Sequence, residues 1–132
     1  MLYIVDNAIP ILAATLAGLL FGLGWWTVFR GSHPSPVPSA AFALLAVVAE
    51  FWLASILAGA LILAPPEAPA SVMAIATPIV IWIGFILPAF AVSLGRRRAG
   101  AGAILVEAGH WLGVMLLQAV VLKSVGLVPP AA

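Results

Sequence analysis

Four apolar segments, each close to the length of a membrane-crossing helix, follow one another along the chain with only short polar stretches between them. A helix needs about 20 mostly apolar residues to cross the hydrocarbon core of a bilayer. Because that core offers no water to backbone N–H and C=O groups, only helices and closed barrels cross it. We therefore predict an all-α fold, an integral membrane four-helix bundle with short loops. Residues 1–132 form a single transmembrane domain with helices at about 8–29, 40–64, 71–94 and 101–121.

Composition supports lipid as the main surrounding of the chain. Hydrophobic residues make up 65% of the sequence and charged residues 7%, against roughly 25% charged residues in soluble domains. The formal net charge is +1, which leaves no basic surface for nucleic acid. The chain has no cysteine, so disulfides and thiolate-held metals are excluded.

Prolines and small polar residues predict where the helices begin and end. Ser39 is suited to cap the second helix, which should stop before Pro65, and Ser71 is suited to cap the third. The third helix also contains Pro78 and Pro88. Prolines are tolerated in membrane helices as kinks, because neighbouring helices satisfy the carbonyls that they free. We therefore keep 71–94 as one helix.

Basic residues predict the orientation. Arg30 follows the first helix, Lys123 closes the fourth, and an arginine triplet separates the third from the fourth: Arg96, Arg97 and Arg98. Cytoplasmic loops are enriched in such residues, so both termini should lie outside the cytoplasm. The arginines should also contact anionic lipid. Trp25 and Trp26, just before Arg30, are predicted interfacial anchors. The predicted location is a bacterial inner membrane, since arginine and alanine usage is typical of a high-GC genome.

Two glycine pairs predict close helix packing. Gly18 and Gly22 lie four residues apart in the first helix, as do Gly109 and Gly113 in the fourth. Small residues at this spacing let another helix approach closely. We expect the fourth helix to be central in the bundle. We also expect the first and fourth helices to offer glycine-bearing surfaces to other subunits or to a second copy of the chain.

Three ionisable residues lie inside the predicted helices: Glu50, Glu107 and His110. Each costs a few kcal/mol in hydrocarbon, so each needs a partner or a cavity. Glu50 shares a helical face with four small residues, and four large apolar residues lie opposite: Ala43, Ala46, Ala54 and Ala58 against Leu45, Val48, Trp52 and Ile56. The small face that carries Glu50 should therefore be the one that packs against protein.

Four interpretations of these residues remain open. In the simplest, an uncharged Glu50 hydrogen-bonds His110 or Gln118 between the parallel second and fourth helices. In another, Glu50, Glu107 and His110 carry protons, ions or a solute across the membrane. In a third, Glu107-x-x-His110 and Glu50, doubled in a homodimer, form a di-metal carboxylate site. In the last, His110 ligates a haem or bacteriochlorophyll ring.

Three stretches resemble a known family. They are GLLFGLGWWTVFRG at 18–31, WIGFILPAF at 82–90 and ILVEAGHWLGVMLLQAVVL at 104–122. They resemble the first, third and fourth helices of the domain-of-unknown-function family 1761, small bacterial proteins with four membrane spans. Glu107, Ala108 and Gly109 match its acidic-Ala-Gly step, whereas His110 and Trp111 stand in exchanged order. The resemblance implies the four-span architecture and no particular activity.

No Ser-His-Asp pattern or phosphate-binding glycine loop is present in the sequence, so we assign no catalytic residue, no metal and no cofactor. The leading hypothesis is an accessory or assembly subunit of a larger membrane complex, or a homo-oligomer. The alternatives are a small proton, ion or solute transporter using Glu50, Glu107 and His110, and a haem- or bacteriochlorophyll-binding subunit using His110. The predicted partners are the bilayer and other membrane subunits or the chain itself, with no nucleic acid.

Overall fold

The computed structural model describes residues 2–29 and 39–129, and every regular element in those ranges is helical. A short helix, Leu2–Asp6, precedes four long ones. We call them span 1 (Ala8–Phe29), span 2 (Ala40–Ile62), span 3 (Ala70–Arg96) and span 4 (Ala101–Val125). All four are long and apolar enough to cross a bilayer. The chain is therefore a multi-pass membrane protein with an all-α fold, as predicted. Arg30 and the proline-rich segment after it lie outside the described residues.

The two predicted helix caps have different outcomes. Ser39 caps span 2, since its Oγ accepts a hydrogen bond of 3.1 Å from the backbone N–H of Phe42. Ser71 does not cap span 3, so that prediction is wrong. The helix begins at Ala70 after Pro69, which makes no side-chain capping bond. The proline ring already restricts φ at Pro69, and the helix starts there without help from a hydroxyl group.

Span 3 contains one turn of π-helix, Trp82–Ile86, just before Pro88. In this segment the N–H of Leu87 donates to the carbonyl of Trp82, five residues earlier. A proline has no N–H for the usual bond to the fourth residue before it, and a wider turn accommodates that loss. Pro78 is buried and the helix continues through it. Both prolines are thus accommodated inside a single long span.

Span 4 is the central helix, as predicted, because it contacts spans 1, 2 and 3. Span 1 also packs on span 2, and span 2 on span 3. The buried core consists of small and aliphatic residues from spans 1, 2 and 4: Ile11, Ala14, Ala54, Leu57, Ala58, Leu61, Met115, Ala119 and Leu122. Because successive spans run in opposite directions, spans 2 and 4 are parallel and meet along the middle of the bundle.

The predicted faces of span 2 are confirmed from Glu50 onward, whereas Ala43, predicted on the inner face, is exposed and Ala46 is half-buried. Ala54 and Ala58 are fully buried, whereas Trp52 and Ile56 are 53% and 46% exposed. A large apolar side chain on the outer surface of such a helix meets acyl chains. The small-residue face is the one that carries Glu50 into the bundle.

Asn7, which the sequence did not single out, joins both ends of the chain. Its fully buried side chain donates from Nδ2 to the carbonyls of Tyr3 (2.8 Å) and Val128 (2.9 Å). Its Oδ1 accepts from the N–H of Val128 at 2.7 Å. The Tyr3 hydroxyl in turn donates to the carbonyl of Ser55 at 3.2 Å. These hydrogen bonds therefore join the start of span 1 to the C-terminal half of span 2 and to the tail after span 4.

Candidate functional site

A buried carboxyl–amide pair joins spans 2 and 4. The Gln118 Nε2 donates to the Glu50 Oε2 at 2.7 Å and to the Glu50 backbone carbonyl at 3.2 Å. Glu50 is 4% exposed and Gln118 is fully buried. An interhelical hydrogen bond of this kind contributes about 0.6 kcal/mol in membrane proteins, and up to about 1.7. The pair therefore holds the two parallel spans at one register.

Span 1 closes over this pair at Gly18. A Cβ at position 18 would meet the Glu50 Oε2 and would lie 2.9 Å from the Gln118 Nε2. Both distances are shorter than real Cβ contacts allow, so a side chain at this position would displace the pair. Glycine is required here by the close approach of three helices rather than by backbone conformation.

His110 lies in an aromatic enclosure and does not reach Glu50. Its imidazole is 7% exposed, and ring centroids surround it at 5.3 to 6.3 Å, from Trp111, Trp26, Trp25 and Phe21. Its Nε2 is buried without a hydrogen-bond partner among the described residues. Of the two partners that we proposed for Glu50, the structure selects Gln118. The other candidate lies eight residues away on span 4, about 12 Å along the axis.

Glu107 is also separate from the buried pair. It is half-buried and precedes Gln118 by eleven residues, about 16 Å along span 4. Phe29 follows Gly18 by the same number of residues on the antiparallel span 1, so Glu107 is level with the end of that span. The predicted polar cluster is thus divided: Glu50 and Gln118 lie in mid-bundle, while Glu107 and His110 lie nearer the arginine-bearing end.

The arrangement does not fit a di-metal centre. Within the described ranges, no three His, Asp or Glu side chains come close enough to hold a metal ion. A homodimeric site would need Glu50 on the outer surface, but its carboxyl is enclosed by spans 1 and 4 of its own chain. The separation of Glu50 from Glu107 is a further obstacle.

The arrangement does not fit an axial haem or bacteriochlorophyll ligand either. The His110 Nε2 faces the backbone of span 1, where a Cβ on Gly22 would be only 3.1 Å away. A macrocycle bound through this nitrogen would need the volume that span 1 occupies.

The two glycine pairs are used inside the chain. Gly22 faces His110, a Cβ on Gly109 would lie 3.6 Å from the Trp25 ring, and a Cβ on Gly113 would collide with the Phe21 ring. Gly18 covers the buried pair in the same way. All four close the contact between spans 1 and 4. The expectation that these surfaces receive another subunit is therefore replaced by an internal role, because side chains of the same bundle already occupy them.

The other predicted residues lie near the arginine-bearing end. Trp25 and Trp26 are half-buried around His110, so they pack inside the bundle as well as marking the end of span 1. The arginine triplet is exposed, with Arg96 at the end of span 3 and Arg97 and Arg98 in the turn that follows. Arg98 adopts a left-handed conformation, with φ of 59°, and its N–H bonds the Gly95 carbonyl at 2.9 Å.

Trp82 is a bundle contact that sequence reasoning missed. Its indole Nε1 donates to the backbone carbonyl of Ala108 at 2.6 Å, joining spans 3 and 4. A tryptophan in mid-helix, far from either predicted membrane boundary, is the signal that could have identified it, because a buried indole N–H needs an acceptor.

Two surface pockets, of about 260 and 510 Å³, lie away from the buried polar residues. The smaller is at the end of the bundle that holds the chain termini, and the larger is a shallow groove on the outer face of span 3. Neither is lined by Glu50, Glu107 or His110. The polar contacts inside the bundle therefore open into neither of them.

The fold and the site together define a small multi-pass helical membrane protein, in which a buried carboxyl–amide hydrogen bond joins spans 2 and 4. Comparison with protein-family profiles, curated proteins and solved structures finds no match. The resemblance to the domain-of-unknown-function family 1761 stays a prediction that rests on the three stretches quoted above.

Proposed function

We propose that this protein is a non-catalytic accessory or assembly subunit, which inserts as a rigid four-span module and packs against other membrane subunits. The observation that carries the proposal is the closure of Glu50 by Gln118 and Gly18 within one chain. A carboxyl that is fully enclosed by its own bundle serves the register of that bundle. Glu50, one of the three residues that suggested transport chemistry, is thereby accounted for as a packing element.

Span 3 is the surface that we assign to the partner. In its most apolar stretch 6% of residues are buried, against 33% in spans 1 and 4. Its outer face is apolar, with Val72, Ile75, Val80, Ile83 and Phe85 all more than 45% exposed. Span 3 therefore has the smallest buried share of the four spans and leaves the largest share of its surface available to a neighbouring helix. Partner helices in membranes associate through such packing.

Affinity purification in a mild detergent tests the subunit proposal. We expect the tagged chain, whose own mass is 13.6 kDa, to migrate in a larger assembly. A Cβ added to Gly84 on span 3 or to Gly24 on span 1 meets nothing within 4 Å, so a larger side chain at either position begins outside the packed interior. Gly84→Leu should release the partner, and Gly24→Leu, as the matched control, should retain it. Recovery of the wild-type chain alone would refute the proposal.

A second function, a small proton or ion transporter, is favoured by one observation. The His110 Nε2 and the Gln118 Oε1 are both buried without a partner among the described residues. Buried polar atoms without partners are uncommon and often belong to functional sites. Flux through proteoliposomes at several pH values tests this candidate, with Glu50→Gln and His110→Gln as variants. If neither substitution alters flux, the transport candidate fails.

We propose a bacterial inner membrane as the location, with both termini outside the cytoplasm. The positions of the described basic residues support this orientation. The chain has no cysteine, so single cysteines report topology directly. An impermeant maleimide should label Glu67→Cys in intact cells and Arg97→Cys only after permeabilisation. The opposite labelling pattern would invert the topology.

A further inference from the structure

The smaller pocket lies where three spans end. The last turn of span 2 contributes Leu61 and Ile62, and the first turn of span 3 contributes Ala70 and Met73. Lys123, in the last turn of span 4, completes the wall together with the connections that follow spans 2 and 4. Because the spans end here, the pocket lies at the boundary between hydrocarbon and water, where lipid headgroups are found.

Lys123 is the charged residue of this pocket. It is the only lysine in the sequence, it is half-buried, and it forms no ion pair with a carboxylate of the described residues. Glu67, in the connection between spans 2 and 3, is exposed and is not part of the lining. The pocket therefore presents one positive charge that no carboxylate of residues 2–29 and 39–129 pairs.

The other lining residues carry apolar side chains, while the exposed lining as a whole is more polar than apolar. Leu61, Met73 and Leu127 provide aliphatic surface beside Lys123. A volume of about 260 Å³ is just below the roughly 300 Å³ at which pockets begin to enclose a drug-sized molecule. One charge, an aliphatic wall and this size together suit a compact anionic headgroup with the first carbons of its chains.

The geometry points to a phospholipid site: Lys123 binds the phosphate of an anionic phospholipid from the adjoining leaflet, and the aliphatic wall contacts the carbons next to the headgroup. This inference goes beyond the subunit proposal and does not depend on it. Ammonium–phosphate contacts of this kind are strengthened where water is partly excluded. The site is distinct from the arginine triplet, which lies at the opposite end of the bundle.

Amine acetylation tests the site, because Lys123 is the only side chain that it modifies strongly. The purified chain is placed in nanodiscs of phosphatidylcholine alone or with phosphatidylglycerol, and acetylation is followed by peptide mass spectrometry. We expect Lys123 to react about fivefold more slowly with phosphatidylglycerol present, which corresponds to one lysine–anionic lipid contact. The α-amine in the same sample serves as the internal reference for general surface potential.

Lipid retention provides a second measurement. In native mass spectrometry the wild-type chain should keep one phosphatidylglycerol, and Lys123→Gln should lower that population about fivefold. Arg97→Gln removes the same charge at the other end and should leave this adduct unchanged. Equal acetylation in both nanodiscs, equal slowing of the α-amine, or equal retention by Lys123→Gln would each overturn the inference. Protection by inorganic phosphate in phosphatidylcholine discs would overturn the lipid as ligand and assign free phosphate instead.

Discussion

Replacing Gly18 with alanine should separate the buried pair, whereas the same replacement at Gly24 should not. At position 18 the new Cβ meets the Glu50 Oε2 and lies 2.9 Å from the Gln118 Nε2. At position 24 nothing lies within 4 Å. The two variants change the same helix by the same methyl group, six residues apart. Only the surroundings of that methyl group differ.

The expected magnitude follows from two terms. Forcing a methyl group into a filled interior costs about 1 to 3 kcal/mol. Loss of the Gln118–Glu50 hydrogen bond adds about 0.6 to 1.7 kcal/mol. Relative to Gly24→Ala, Gly18→Ala should therefore lower the free energy of unfolding by about 2 to 5 kcal/mol. Gly24→Ala should leave it unchanged or raise it by up to about 1 kcal/mol, because alanine is the better helix former.

Equilibrium unfolding in mixed micelles measures the difference, with the five tryptophans as the fluorescent probe. A double-mutant cycle then locates its cause. In a Glu50→Ala background the space beneath position 18 is already open, so Gly18→Ala should cost at least about 1 kcal/mol less there than in the wild type. This coupling distinguishes a local collision from a general effect on span 1.

Equal stability of Gly18→Ala and Gly24→Ala would refute the reasoning. So would a cost of Gly18→Ala that persists in full after Glu50 is truncated. Either result would mean that span 1 does not close over the carboxyl–amide pair.

Three further predictions concern contacts elsewhere in the bundle. Asn7→Ala removes three hydrogen bonds and should speed hydrogen exchange at the Val128 amide by about tenfold, the equivalent of about 1.4 kcal/mol. An unchanged exchange rate would show that other contacts hold the tail. Trp82→Phe loses the bond to Ala108 and should cost about 0.6 to 1.7 kcal/mol in the same unfolding assay, and a neutral result would contradict that bond. Ser39→Ala should cost about 1 kcal/mol whereas Ser39→Asp retains the cap, and equal stability of the two variants would argue against capping.

Hydropathy, together with the positions of prolines and small polar residues, was sufficient to predict the four spans. Hydropathy is a property of consecutive residues, so long apolar runs identified every crossing helix without tertiary information. The cap at Ser39 was equally local, since its acceptor and donor lie three residues apart. Ser71 failed as a cap because Pro69 had already begun the helix.

Helical periodicity also identified the inward face of span 2. Ala54 and Ala58 are spaced to lie beside Glu50, and a carboxyl in hydrocarbon must turn toward protein. The same reasoning did not decide which of two residues on span 4 is the hydrogen-bond partner of Glu50. His110 and Gln118 share one stripe of that helix, and the periodicity of a single helix carries no information about its axial offset from another.

Axial offset and neighbour identity were decided only by the tertiary structure. The offset of span 4 brings Gln118 to Glu50 and places His110 against Gly22. In this arrangement the glycine pairs pack against helices of the same chain. Their spacing alone does not show this, because a helix of a second chain could pack on the same glycines. Contacts such as that of Asn7 with Val128, 121 residues away, have no local pattern at all. Each depends on packing of the whole bundle, whereas span formation depends on the solvent preference of each segment by itself.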